Sequence, residues 1–191
     1  MNAQKTIVIA GLLALQGCAA GSIASAAMEI AGIRKPPELP DAQKPPRNVA
    51  IRLHASQNLN AGAGSQPLAL AARIYKLRQT AAFQQMSFDG FLSAHDEREL
   101  LGNDLLEVKE VMLIPGQRYE IVEKVTREAY FIGVVALFRS PAEQRWRLAF
   151  PAGDAEKSGI TVGLHACAMS VGGGAAASSE AAKPLATIRC P

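Results

Sequence analysis

The chain has 191 residues, of which 49% are hydrophobic and 19% charged, and its formal net charge is +3. The length fits one domain, the apolar fraction excludes a disordered chain, and the near balance of charge gives no footprint for nucleic acid. No apolar run reaches the roughly 18 residues of a spanning helix, and three cysteines are too few for a disulfide scaffold.

The first 17 residues have the pattern of a secretory signal peptide. Lys5 lies in a short polar start, an apolar stretch covers 7–15, and Leu-Gln-Gly-Cys follows at 15–18. Leucine at −3, glycine at −1 and cysteine at +1 resemble the lipobox that the bacterial lipoprotein signal peptidase cuts. The resemblance implies that Cys18 becomes the acylated first residue of the mature protein. The alternative is ordinary cleavage among the alanines at 24–27.

The residue after the cysteine bears on the destination. Ala19 stands there, and in such lipoproteins an aspartate at this place would indicate retention in the inner membrane. We therefore expect a lipid anchor in the outer membrane, with the domain on the periplasmic side. Several acyl chains on one N-terminus anchor stably, whereas a single chain binds only marginally.

A proline-rich segment follows. Residues 34–48 contain five of the eleven prolines, which favours a semi-extended polyproline II conformation. We predict a lipidated N-terminus and tether over 18–47 and a periplasmic domain over 48–191. The alternative for the prolines is a partner ligand.

The domain has the pattern of a mainly β fold. Val49, Ile51 and Leu53 alternate with more polar residues, as in a strand with one buried face. Strands are predicted at 49–54, 68–77, 107–114, 118–125, 130–138, 145–150, 160–169 and 185–190. A helix or two short turns are predicted over 80–92, and Arg73 and Lys76 are expected in solvent. This spacing predicts an antiparallel β-sandwich of about eight strands with a short helical insertion.

No group of residues indicates catalysis or a cofactor. His54, His95 and His165 lack metal-ligand spacing, and no Gly-x-Ser-x-Gly motif is present. The glycines at 172–174 read as a flexible loop rather than a phosphate cradle. The acidic cluster at 96–99 is interpreted as a solvated face, with a paired-carboxylate site as the alternative. We predict no metal, no cofactor and no enzymatic activity.

Cys167 and Cys190 remain, each at the end of a predicted strand. In an oxidising compartment a bond between them would close the glycine-rich loop. For about 25 residues the chain-entropy estimate of its stabilisation is roughly 3.5 kcal/mol. Two inert buried thiols are the alternative.

Many short segments together resemble one known family, the TssJ (VasD/SciN) outer-membrane lipoproteins of the type VI secretion system. The likeness covers roughly 48–150, and the lipobox and tether agree with it. It rests on Leu53-His-Ala-Ser-Gln-Asn-Leu-Asn60, Pro67-Leu68, Ala72-Arg-Ile-Tyr-Lys-Leu77, Phe83, Phe88-Asp89, Phe91-Leu92, Leu101-Gly-Asn-Asp-Leu-Leu106, Pro115-Gly116, Ile132-Gly-Val-Val-Ala-Leu-Phe-Arg139 and Trp146.

The resemblance implies a transthyretin-like β-sandwich without enzymatic activity. It implies binding to the periplasmic C-terminal region of the inner-membrane protein TssM, which also joins TssL. In the family much of this contact comes from the loop between the first two strands. That loop corresponds here to Asn58, Leu59, Asn60, Ala61, Gly62, Ala63, Gly64, Ser65 and Gln66. We expect Leu59, its one large apolar residue, and the flanking asparagines to matter most.

A second hypothesis stays open. A tethered β-sandwich could carry or transport a small hydrophobic ligand, which would require a concave apolar pocket with a few polar groups. A bound molecule that copurifies with the protein would favour this carrier over the secretion anchor.

Overall fold

The computed structural model describes residues 38–63, 66–177 and 188–191. In this part of the chain eight strands form two four-stranded sheets, which confirms the mainly β fold. The strands are β1 (Arg47–Ala55), β2 (Leu70–Leu77), β3 (Leu105–Leu113), β4 (Arg118–Val125), β5 (Phe131–Ala136), β6 (Arg147–Pro151), β7 (Ile160–Leu164) and β8 (Met169–Val171). The helices are α1 (Ala81–Gln85), α2 (Ala94–Leu101) and α3 (Ala152–Ser158), with 3-10 turns at Asp41–Gln43, Asp89–Phe91 and Gly102–Asp104.

One sheet has the order β4-β1-β7-β8 and the other β3-β2-β5-β6. All neighbouring strands are antiparallel except β1 and β7, which are parallel. The predicted antiparallel sandwich is therefore confirmed, with one parallel pair that the sequence did not indicate. The cause is α3, which the sequence analysis missed. It carries the chain from the end of β6 to the start of β7, so β7 enters the other sheet in the same direction as β1.

The core lies between the inner faces of the two sheets. Along β1 the burial pattern alternates, and Val49, Ile51 and Leu53 are fully buried, as the period-2 pattern predicts. In β5 the run from Ile132 to Ala136 is buried throughout. One face of this strand lies against the core between the sheets, and the helical insertion covers the other.

The helical insertion covers the outer face of the second sheet. Its separate pieces, α1 and the turn Asp89–Phe91, match the prediction of two short elements better than one helix. Phe83 and Phe91 pack against Tyr75, with ring centroids 5.4 and 5.8 Å from the tyrosine ring. Gly133 makes this possible, because a β-carbon there would lie 2.7 Å from Cζ of Phe83.

Two predicted elements end elsewhere. The stretch 160–169 is not one strand but β7, a turn and the short β8, which pair as a hairpin. Residues 188–190 of the predicted last strand are not in a strand, and 185–187 lie outside the described residues. The acidic cluster at 96–99 lies in α2, where the sequence analysis predicted no helix. Ser93 caps this helix by accepting a hydrogen bond from the Asp96 backbone N–H at 3.3 Å.

The last residues of the predicted tether are docked on the domain. Asp41–Gln43 forms a 3-10 turn, and β1 begins at Arg47. The Tyr130 hydroxyl donates to Asp41 at 2.8 Å, and the Arg127 side chain donates to the Pro45 carbonyl at 3.0 Å. The prolines therefore do not hold this part away from the sandwich. The predicted signal peptide, Cys18 and the tether up to residue 37 lie outside the described residues.

Candidate functional site

The β1–β2 loop (58–66) lies at one end of the sandwich. We call it the loop end, where β1 finishes at Ala55, and we call the opposite end, where β1 starts at Arg47, the tether end. The nine residues of β1 separate these ends by about 26 Å at roughly 3.3 Å per residue. The β3–β4 turn is also at the loop end, since Gly116 N–H donates to the Ser56 carbonyl at 3.2 Å.

The first half of this loop is buried, which overturns one expectation. Leu59 is fully buried in the core, and Asn60 and Ala61 are 6% and 4% exposed. Leu59 is therefore a core residue and not an exposed anchor for a partner. Leu59 is the one large apolar side chain of the loop, and it packs against the hydrophobic core at this end of the sandwich.

Asn60 holds the loop in place. Its side chain donates to the Ala69 carbonyl at 3.0 Å and accepts from the Arg139 N–H at 2.8 Å. Its φ of 53° lies in the left-handed region, which asparagine tolerates better than most residues. These contacts give Asn60 a structural role, in contrast to the direct partner contact that the sequence analysis expected.

The rest of the loop faces solvent. Asn58, Ala63 and Gln66 are exposed, Gly62 is half-buried, and Leu68 just beyond the loop is 41% exposed. Gly64 and Ser65 lie outside the described residues. Among the described residues of the predicted docking loop, the accessible ones are therefore Asn58, Ala63 and Gln66.

The β7–β8 turn binds the loop through backbone hydrogen bonds. Asn60 N–H donates to the His165 carbonyl and Gly62 N–H to the Ala166 carbonyl, each at 3.0 Å. The structure joins Cys167, in this turn, to Cys190 by a disulfide with 2.07 Å between the sulfur atoms. A cavity of about 250 Å³ lies beside the disulfide, lined by Asn58, His165, Ala166, Cys167, Ala168, Ile188 and Cys190.

Two predicted solvent residues of β2 belong to ion-pair networks. Arg73 lies 2.6 Å from Glu97 on α2 and 2.7 Å from Glu110 on β3, and Glu97 is 3% exposed. The solvated-face interpretation of the acidic cluster was thus wrong for Glu97, while Asp96 and Glu99 are exposed. These ion pairs fix the helical insertion to the sheet. The carboxylates of Glu97 and Glu110 pair with the Arg73 guanidinium and not with each other.

Lys76 is 7% exposed and lies 2.7 Å from Glu107 and 3.4 Å from Glu123. Burial opposes the ionised form of Glu123, but the hydrogen bond from Lys109 at 2.7 Å and the charge of Lys76 outweigh it. The pKa of Glu123 is therefore held below its ordinary value. This cluster joins β2, β3 and β4 across the open edge of the sandwich, which is a structural task.

The three histidines lie in different surroundings. His54 is half-buried in β1, and His95 is 87% exposed on α2, where it lies 3.7 Å from Glu99. His165 Nε2 lies 2.8 Å from the Ser170 hydroxyl across the β7–β8 hairpin, and burial lowers its pKa. Within the described ranges no group of three or more His, Cys, Asp or Glu residues is placed to hold a metal ion.

Sequence reasoning missed several residues that shape the loop end. Arg139 and the turn 165–168 touch the loop only through tertiary contacts, so no local pattern could reveal them. By contrast, the serine at 93 three residues before Asp96 is a recognisable helix-start signal. In the described part of the chain no helix is long and apolar enough to cross a membrane.

The described residues define a β-sandwich of two four-stranded sheets that presents a supported loop at one end. Comparison with known families makes this specific. The model of the type VI secretion lipoprotein family, which includes VasD, EvfM and TssJ, matches residues 47–167. Since this is more than half of the chain, the protein belongs to the type VI secretion lipoprotein family, and the resemblance noted in the sequence is confirmed.

Solved structures agree. The lipoprotein TssJ1 of Pseudomonas aeruginosa is 28% identical and covers 68% of this chain and 97% of its own, with a TM-score of 0.59. Serratia marcescens Lip, a membrane-bound component of the type VI system, is 22% identical over 66% and 98%, with a TM-score of 0.59. A chain from the structure of the TssM C-terminal domain from EAEC matches at 21% over 65% and 97%, with a TM-score of 0.54. The latter two show the fold alone.

The search of curated protein sequences finds no match. The family is one of structural secretion lipoproteins, so the class of protein follows from membership and not from any single residue. The family is not known for enzymatic activity.

Proposed function

We propose that this protein anchors the type VI secretion membrane complex to the outer membrane by binding the periplasmic region of a TssM-type inner-membrane protein. The acyl chains on Cys18 insert into the outer membrane, and the exposed residues of the β1–β2 loop bind the TssM-type protein. TssL joins the complex through the TssM-type partner and not through this chain.

The observation that carries the proposal is the position of the loop. The chain enters the domain at Arg47, at the tether end, and the loop lies at the other end of β1. The loop end is therefore the end of the domain that the entry of the chain leaves free for a partner. Loops on rigid scaffolds commonly carry binding, and this one is held by Asn60 and the β7–β8 turn.

The accessible surface at the loop end supports a protein partner. Ile114 and Met112 near the β3–β4 turn are each 59% exposed, and Leu68 is 41% exposed. Exposed apolar residues around a polar loop are typical of a protein–protein interface with a polar rim. The likeness to a chain from the structure of the TssM C-terminal domain adds support for a TssM-type partner.

Direct titration tests the proposal. The chain from residue 18, with Cys18→Ser to leave it unlipidated, is titrated against the periplasmic C-terminal region of the TssM-type protein from the same organism. We expect saturable 1:1 binding. Ala63→Arg, which adds a bulky charge to an exposed loop position, should weaken it strongly, whereas Lys157→Ala at the tether end should leave it unchanged.

The deletion variant needs care. Removing 58–66 would also remove buried Leu59 and unfold the loop end, so the informative deletion is 62–66. If the Ala63→Arg variant and the deletion variant both bind the partner as tightly as the wild type does, the interface lies elsewhere. A folded wild-type chain that does not bind would contradict the proposal, and a copurified small molecule would then favour the carrier hypothesis.

A further inference from the structure

The loop end contains a second segment that the proposed function does not use. The β7–β8 turn (165–168) continues the parallel pairing of β1 and β7 beyond the strands. Ser56 N–H donates to the Leu164 carbonyl at 2.9 Å, and the bonds from Asn60 and Gly62 to the turn follow in order. The first bond extends the pairing of the two strands, and the other two attach the loop to the turn.

The turn is itself fixed from its other side. Ala142 N–H donates to the Cys167 carbonyl at 2.8 Å, and Met169 N–H donates to the Arg145 carbonyl at 2.7 Å. Cys167, Ala168 and Ala142 form a small buried cluster, separate from the main core, against which Ile188 and Cys190 pack. The disulfide is the covalent part of this cluster.

The cavity described above lies where these parts meet. Asn58 contributes from the loop, His165 to Ala168 from the turn, and Ile188 and Cys190 from the end of the chain. Its volume of about 250 Å³ is below the roughly 300–1,000 Å³ that small-molecule sites occupy. The size and the mixed lining suit a side chain of a protein partner better than a free ligand.

We infer that the Cys167–Cys190 disulfide positions the β1–β2 loop for its partner, and that the β7–β8 turn with Ile188 forms the second half of one continuous docking surface. The inference rests on the proposed function, because the partner is the same TssM-type protein, an apolar side chain of which enters the cavity. Ile188 and Cys190 lie beyond residues 47–167, which the family model matches, so the part of the surface that the end of the chain contributes is not in the matched region.

The physical reason is preorganisation. A loop that is already held in its bound conformation loses less conformational entropy when the partner docks. The described residues that directly follow Asn60 in the loop are Ala61, Gly62 and Ala63, whose side chains are small. The backbone bonds to the turn therefore add to the order that the Asn60 side chain gives the loop, and the disulfide with its small cluster adds to the order of the turn.

Two measurements on the Cys167→Ala/Cys190→Ala variant test the positioning role, with the chain from residue 18 and Cys18→Ser in both proteins. Affinity for the TssM-type periplasmic region should fall by about tenfold or more. Hydrogen exchange should accelerate at the Asn60 and Gly62 amides and stay unchanged in β2 and β5, which also shows that the sandwich is intact. Unchanged affinity together with unchanged exchange would overturn the inference.

A second variant keeps the disulfide and tests the surface itself. Ile188→Ala should weaken binding by about threefold to tenfold, while Val122→Ala, a 63% exposed residue in the middle of β4, should not. Equal affinity of Ile188→Ala and the wild type would remove the turn and Ile188 from the docking surface. If the wild type itself does not bind, the proposed function fails, and the exchange data still decide whether the disulfide orders the loop.

Discussion

Two polar stretches of this chain look alike in sequence and fold differently. Residues 58–66 and 96–99 are both rich in polar side chains, and the first were expected to contact a partner and the second to face solvent. The structure buries Leu59 and Asn60 in the first and Glu97 in the second. In the loop the buried polar groups meet neutral backbone, whereas in α2 the buried carboxylate meets the Arg73 guanidinium.

The difference shows what decides burial. A polar group leaves water when tertiary structure supplies its hydrogen bonds, and otherwise the cost of burial keeps it outside. Neutral partners suit the asparagine, and a charged partner is needed for the glutamate. The four predictions below test this contrast, starting with the charged pair.

Arg73→Met should produce the largest effect, because it leaves Glu97 buried without its cation. Breaking a buried pair in this way destabilises a fold by about 3–5 kcal/mol, measured by chemical denaturation. The double variant Arg73→Met/Glu97→Leu should recover most of the loss, since it removes both charges. Arg98→Ala, on the exposed side of α2, is the control. Full stability of Arg73→Met alone would contradict this account of Glu97.

Leu59→Ala should be the next largest, because it opens a cavity in the core. Truncating a buried leucine costs about 2–5 kcal/mol, whereas Leu68→Ala, close by and 41% exposed, should stay within about 0.5 kcal/mol. The comparison of the two unfolding midpoints separates the structural half of the loop from its accessible half. A stable Leu59→Ala that no longer binds the partner would restore Leu59 as an interface residue.

The contrast also explains how far the sequence could lead. Alternation in β1 and the turn at Pro115-Gly116 are local patterns, so β1 and β4 were located closely, and the lipobox and scattered motifs identified the family. The partners of Lys76, Glu97 and Asn60 come from β3, β4, β2 and the β5–β6 connection, which no local pattern specifies. The parallel β1–β7 pair and the bonds from the loop to the β7–β8 turn were missed for the same reason.

Asn60→Ala should cost less than Leu59→Ala, about 2 kcal/mol, since it removes the two side-chain hydrogen bonds to Ala69 and Arg139 and leaves buried backbone groups unpaired. Alanine also adopts a φ of 53° less readily than asparagine, whose short polar side chain forms local hydrogen bonds in this conformation. Asn60→Gly relieves the backbone but still lacks the bonds, so the difference between the two variants gives the cost of the left-handed conformation. Equal stability of all three proteins would show that the loop is held by the turn alone.

The smallest expected effect is a change of stability with pH. It concerns His165 in the turn that supports the β1–β2 loop, where the buried polar groups have neutral partners. Burial lowers the pKa of His165 below its ordinary value of 6.5, so the unfolded chain takes up this proton first as the solution is acidified. The contribution of neutral His165 is therefore complete above pH 6.5 and is lost progressively as the pH falls below it. His165→Gln should flatten this part of the stability curve, measured as the unfolding free energy between about pH 7.5 and pH 5, whereas His95→Gln, at an 87% exposed side chain, should not. A wild-type curve that His165→Gln leaves unchanged would mean that the loop end tolerates a charged imidazole, and the neutral character assigned to its support would be wrong.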